Sequence, residues 1–335
     1  MEDADLALDQ GVVNDVIAGG PGFVAVGGGF TEALQVPVAA IWASVDGADW
    51  ERVGLEGVAS RGQIYAVARA GQGFVAVGNE CCPDRAAVWT SVDGSSWSRV
   101  EDQESFAGAA MTGVTSWAGG LVAVGCDSER GCTAPQIWVS AVGDEWERVA
   151  LDVELGAAFL SDVTASGSVL VAVGSSTDDQ AKEPDILVSL DGRTWVRVVV
   201  PVPVVSLSAV TAGADGLVAA GSSTDADTGR PLALVMTSPD GADWEVVSSP
   251  SFTGGSIEDL TATTDGFVAV GRQRRSASTW YAAPGADWAR IVPGPRGTMS
   301  AVVAGEDGRL VAVGAVETAS GSAPAVWTSP TTVGP

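Results

Sequence analysis

Val88-Trp89-Thr90-Ser91-Val92-Asp93-Gly94-Ser95-Ser96-Trp97 decides the fold: an apolar run, a tight Ser-x-Asp-Gly turn, and a second run opened by Trp. Residues 41–50, 137–146, 187–195 and 235–244 repeat it, residues 279–288 carry a worn copy, and residues 326–330 a shortened one. A second landmark keeps step with the first. It is an apolar run ending in glycine, as in Gly22-Phe23-Val24-Ala25-Val26-Gly27, and it ends again at Gly78, Gly125, Gly174, Gly221, Gly271 and Gly314. Seven copies spaced 43–51 residues apart point to a propeller or solenoid before any other architecture.

Each unit reads as four short strands, shown by residues 64–68, 74–77, 86–91 and 97–100 of the second. They are too short for helices and rich in β-branched and aromatic residues, and Gly71-Gln72-Gly73 and Asp93-Gly94 are hairpin turns. The expected fold is therefore all-β: a seven-bladed β-propeller of four-stranded antiparallel blades, one domain over residues 1–335. Blades are expected near residues 12–53, 63–100, 110–149, 159–198, 207–247, 257–291 and 299–330. The last unit holds only three strands. Residues 3–9 alternate acidic and apolar side chains, as a half-exposed outer strand does, and are expected to complete blade seven; a free tail is the alternative.

Eleven of the twelve tryptophans fall at two repeat positions. Trp42, Trp89, Trp138, Trp280 and Trp327 sit on third strands, and Trp50, Trp97, Trp146, Trp195, Trp244 and Trp288 open fourth strands. Such regularity indicates packing between blades. Trp117 alone breaks the pattern and is a candidate surface aromatic for ligand binding.

The formal charge is -25, from 42 acidic and 17 basic residues, with Lys182 the one lysine and no histidine. This surface repels nucleic acid and anionic lipid, and without histidine any chemistry must rest on carboxylates, Tyr, Arg or backbone. No run of 18 apolar residues occurs, so direct membrane insertion is not expected. Cys81, Cys82, Cys126 and Cys132 admit three pairings. Cys126 and Cys132 could bridge a hairpin, leaving a strained Cys81–Cys82 vicinal bond; pairing between the two loops, or four free thiols, are the alternatives. Disulfides imply an oxidising compartment, and an extracellular or cell-surface monomer is the expectation.

Residues 44–50, 91–97, 189–195 and 238–244 resemble the Asp-box, or BNR, repeat of sialidase-type propellers. They are one residue shorter, since Asp and Gly are adjacent, and Val142 and Pro284 replace the Asp in units three and six. The resemblance implies a propeller whose box is a structural turn between third and fourth strands. Sialidase activity would further imply an arginine triad, a Tyr nucleophile and an acid/base Asp. The family's Arg-Ile-Pro signature is absent. Arg52, Arg99, Arg148, Arg197 and Arg290 share one repeat position and read as structural, Tyr281 lies on a third strand, and Tyr65 is the sole candidate nucleophile.

Aligning the innermost strands puts Asp15, Ala66, Gly113, Asp162, Ala209, Asp259 and Ala301 in one row. The row before it holds Asn14, Tyr65, Thr112, Ser161, Ser208, Glu258 and Ser300. If either row lines the channel, Asp15, Asp162 and Asp259 could hold Ca²⁺, the one cofactor these residues suggest, or act with Glu258 in glycoside hydrolase or lyase chemistry; otherwise they cap backbone groups. Asp225 and Asp227 precede Gly229 in a loop with weak calcium-loop character. Arg272, Arg274 and Arg275 form the one basic cluster and could take a carboxylate or sulfate. Together these features favour a non-catalytic module for a glycan or protein ligand, with a carboxylate-based hydrolase or lyase as the alternative.

Overall fold

The computed structural model describes residues 2–4, 11–30, 37–56, 61–82, 84–151, 158–176, 184–200, 205–225, 228–291, 294–319 and 321–329. Seven sheets of antiparallel strands, one per sequence unit, form a β-propeller. In blade two the strands run Gly62–Ala70, Gly73–Glu80, Arg85–Ser91 and Trp97–Arg99 from inside to outside. Its outer edge also receives Leu55–Glu56 as a parallel fifth strand. No described helix is long and apolar enough to cross a membrane.

Second strands are continuous apolar runs because both faces are covered. Val75, Ala76 and Val77 are fully buried, with Val75 and Val77 facing blade three and Ala76 facing blade one. Seven separate apolar clusters fill the seven gaps between neighbouring blades. The last unites Val311, Val313 and Val326 of blade seven with Val13 and Trp42 of blade one, so the core is a closed ring. The five third-strand tryptophans are at most 2 % exposed within these clusters.

Closure follows the expected route with a shorter strand. Glu2–Ala4 pairs with Gly321–Thr328, in the register Glu2↔Thr328, Asp3↔Trp327 and Ala4↔Val326. The remainder of the expected segment, residues 5–9, lies outside the described residues.

The Ser-x-Asp-Gly turns explain their own composition. In blade two, Ser91 Oγ accepts the Gly94 amide at 2.8 Å, and Asp93 Oδ1 accepts the amides of Ser95 and Ser96 at 2.8 and 2.9 Å. Gly94 has φ +79°, and the Trp97 indole N–H closes the turn by donating to the Gly94 carbonyl at 3.0 Å. Unit three, with Val142 in place of Asp, keeps the Ser140 and Trp146 bonds.

A feature hidden from the strand pattern recurs in all seven blades. Each innermost strand slips register by one residue against its neighbour, at Val13/Asp15, Ile64/Ala66, Met111/Gly113, Leu160/Asp162, Leu207/Ala209, Ile257/Asp259 and Met299/Ala301. The residue skipped by this β-bulge is Asn14 or its equivalent. The residue just before it pairs with the recurring glycine, whose Cβ would lie 1.9 Å from the Gln63 carbonyl oxygen at Gly78 and 2.1 Å from that of Phe159 at Gly174. The glycine is therefore the residue that lets the bulged backbone approach.

Candidate functional site

Both rows aligned from the sequence line the central channel, around a cavity of about 220 Å³ containing Asp15, Asp162, Asp259, Glu258 and Tyr65. The bulge turns the Asp row along the ring. Asp15 Oδ1 accepts the amide of Val16 at 2.7 Å, and its Oδ2 accepts that of Val67, in blade two, at 2.8 Å. Asp162 bridges Val163 and Val210 of blade five at 2.7 and 2.9 Å, and Asp259 bridges Leu260 and Val302 of blade seven, each at 2.7 Å. The preceding row makes the complementary contact. Asn14, Thr112, Ser161 and Ser208 donate to the next blade's carbonyl at Ile64, Leu160, Leu207 and Ile257, at 2.6–2.9 Å.

These carboxyls are half-buried, crowded together around the same small cavity. Burial pushes Asp15 up to about 7, against the pull of its two amide donors, and the Asp162 charge adds to the rise. Asp162 is pushed up to about 6 by burial. Asp259 is raised by burial and by the charges of Asp15 and Asp162. Burial also raises the Tyr65 hydroxyl, and Glu258 accepts the Ser256 hydroxyl at 2.5 Å. Each oxygen of the three Asp side chains already accepts one backbone amide, and among the described residues no cluster of three acidic or thiol side chains has metal-holding geometry.

The remaining candidates separate onto the two faces. Trp117 ends the hairpin between the first two strands of blade three, on the face of the Ser-x-Asp-Gly turns, and its indole rests against Gly119 and Gly192. It lines a groove of about 1370 Å³ around the rim of blade three. Charges there satisfy one another: Arg193 is bidentate to Glu147 at 2.6 and 2.8 Å, and Arg99 pairs with Asp102 at 2.6 Å. Trp117 is thus at the opposite end of its blade from the loops that carry the arginine cluster, because its hairpin and those loops sit at opposite strand ends.

On the loop face, Arg274 and Arg275 form the two-residue turn between Gly266–Gln273 and Ser276–Ala282, with Arg272 just before it. Asp225 caps its own hairpin tip, accepting the Thr228 amide at 2.7 Å and its hydroxyl at 2.6 Å; Asp227 lies outside the described residues. Cys126 and Cys132 form a disulfide. Cys81 and Cys82 are free thiols with sulfurs 2.8 Å apart, so of the pairings the sequence left open the hairpin bridge is present without a vicinal bond beside it. Tyr281 donates to the Asp265 carbonyl at 2.6 Å, away from the channel.

Four of the five arginines in the repeated row pair in register with third-strand tryptophans, Arg197 facing Leu187 instead. Arg99 is bidentate to Glu80 at 2.7 and 2.5 Å, Arg148 donates to the carbonyls of Ser105 and Ala107, and Arg197 lies 3.1 Å from buried Asp185. Arg290 differs. Ser278 stands where blade four has Asp185, so Arg290 meets a hydroxyl at 3.0 Å and its Nε is buried without a partner. Sequence reasoning missed this exception, although the aligned repeats contain it.

No family model matches the chain, and no curated protein matches it. Solved structures do. YCF48 bound to D1 peptide is 14 % identical with TM-score 0.62, covering 97 % of this chain and 95 % of that one. A streptogramin B lyase is 8 % identical with TM-score 0.64, over 98 % and 97 %. The WD40 β-propeller domain of Doa1 is 11 % identical with TM-score 0.60, over 97 % and 95 %. At these identities the chain is similar to all three in fold, and the seven-bladed propeller is the conclusion they support.

Proposed function

We propose that this protein is a non-catalytic binding module, taking a peptide or protein ligand on the face formed by its second-to-third-strand and inter-blade loops. The observation that carries the reading is the state of the channel carboxylates. Both oxygens of Asp15, Asp162 and Asp259 are engaged by backbone amides of two blades, so the residues best suited to acid/base work serve as fasteners. On the loop face, no carboxylate among the described residues lies within ion-pair distance of Arg272, Arg274 or Arg275. A fold neighbour solved with a bound peptide supports the class of ligand. The Cys126–Cys132 bridge supports an extracytoplasmic setting, and the Ser-x-Asp-Gly turns support kinship with Asp-box propellers at the level of scaffold.

A carboxylate-based lyase or hydrolase is the second reading, favoured by the carboxyls raised toward neutrality beside Tyr65 and by the lyase among the fold neighbours. One experiment separates the two. The purified protein is applied to peptide and glycan arrays, with and without Ca²⁺, and bound and released material is read by mass spectrometry. Retention of peptides without cleavage is the expected result; trimmed or eliminated products would replace the binding reading with the enzymatic one.

A further inference from the structure

Six arginines lie in the loops of blades five to seven or at the strand ends beside them: Arg230, Arg272, Arg274, Arg275, Arg290 and Arg296. In a chain of net charge -25 these would be expected to pair with acids, as Arg99, Arg193 and Arg197 do. Only Arg296 has a carboxylate near, Glu317 at 4.0 Å; among the described residues none lies within ion-pair distance of the other five. Two adjoining hollows share Arg274. One, of about 350 Å³, is bounded by Arg230, Pro231, Thr253 and Gly254, and the other, of about 290 Å³, by Gln273, Ser276 and Arg290.

The arrangement is built rather than accidental. Arg274 has φ +59° at the first position of a two-residue hairpin, where glycine is the favoured residue, so the backbone is strained to hold a side chain there. Its amide donates to the Gly254 carbonyl at 2.8 Å, and the Gly254 amide donates to Pro231, tying blades five and six together beneath the hollows. Gln273 fastens the same hairpin from below, donating to the carbonyls of Ser251 and Thr253 at 3.0 and 2.8 Å. Burial and the neighbouring Arg274 charge both disfavour the protonated form of Arg290, a cost that an anion between them would relieve.

We propose that the space between Arg230, Arg274 and Arg290 is an oxyanion site that takes a side-chain or terminal carboxylate of an acidic peptide segment. It deepens the peptide-binding reading and rests on it. The guanidinium forks match the paired oxygens of a carboxylate, and the flanking Arg272 and Arg275 extend the positive ground to neighbouring acidic residues. Phosphate and sulfate groups offer the same oxygen geometry, so the test must separate them.

The probe is a fluorescent, end-blocked hexaglutamate peptide, titrated against the full chain at about 150 mM salt, where long-range repulsion is screened. Hexaglutamine and inorganic phosphate run in parallel. Hexaglutamate is expected to bind, hexaglutamine to fail, and phosphate to compete only at far higher concentration. Arg274→Gly, which suits the backbone, should weaken binding by about tenfold or more while leaving the melting temperature unchanged or higher. Arg193→Ala, on the other face, should leave binding unaltered. No hexaglutamate binding, or equal binding to Arg274→Gly, overturns the site; phosphate binding tighter than the peptide overturns the carboxylate assignment. If array peptides bind but hexaglutamate does not, the site falls and the binding module stands, whereas cleavage on the arrays would sink that module while the hexaglutamate titration still reports on the arginines.

Discussion

Asp259 Oδ2 accepts the amide of Val302 at 2.7 Å, so a side chain of blade six completes the backbone bonding of blade seven. Its other oxygen holds the amide of Leu260 in its own strand, at the bulge. Asp15 and Asp162 repeat the clasp across the blade one–two and four–five joints.

Asp259→Ala strands two amides at once. Each buried N–H left without a partner costs about 1–3 kcal/mol. The substitution should therefore lower stability by roughly 2–5 kcal/mol, partly offset by relief of the carboxylate's own burial. Urea unfolding of wild type and variant at one pH measures it, and an unchanged midpoint would refute the clasp.

The pH profile should run opposite to that of an ordinary acidic protein. Asp15 and Asp162 sit at about 7 and about 6 in the folded chain, and Asp259 is also raised, so the native state holds more protons than the unfolded state above the ordinary carboxyl value of 3.8. Stability from these groups is full below that value and is lost as pH rises through 6 to 7. Asp46, Asp93, Asp191 and Asp240 are lowered by backbone amides in the turns, and their contribution is lost only as pH falls below the usual carboxyl range. Denaturant midpoints measured from pH 4.5 to 8 should fall, and Asp15→Asn should flatten the slope. A rising profile would contradict the burial of the triad.

Gly174→Ala tests the bulge. The added methyl would meet the Phe159 carbonyl oxygen at 2.1 Å, on a backbone held by the ladder on both sides. A loss of about 3 kcal/mol or more, or failure to accumulate folded protein, is expected by calorimetry. Gly71→Ala makes a useful contrast, because it meets no atom within 4 Å and suffers only from its φ of +59°.

The thiols divide two and two. Alkylation of the unreduced, unfolded protein should label Cys81 and Cys82 and spare Cys126 and Cys132. Replacing Cys126 and Cys132 together by Ser should cost about 2 kcal/mol, the value for so short a loop. Four labelled thiols would remove the bridge and with it the support for an oxidising compartment.

The repeat, the strand count and the closure at blade seven were legible because strand periodicity and turn residues are local signals. The Asp row was legible as a row. Its role was not, because a bulge changes which way a side chain points without changing the apolar pattern around it, and only the register shows that Asp15 reaches Val67. Trp117 was visible as an exception, yet its face depends on which end of the strand its hairpin closes. Arg290 was hidden in plain view: it shares a row with structural arginines, and the informative residue is Ser278, whose neutrality matters only once both strands are paired.

Pairing Asp3 with Trp327 has a consequence for the order in which the chain can fold. Blades one to six are made of contiguous segments and can form as they are synthesised, but blade seven joins strands from the two ends of the propeller. Until then the blade-one face lined by Val13 and Trp42 has no partner, and the loop to be closed spans nearly the whole chain. The final step is thus the least local one, and a slow closing phase, with a sticky open ring before it, is built into the topology.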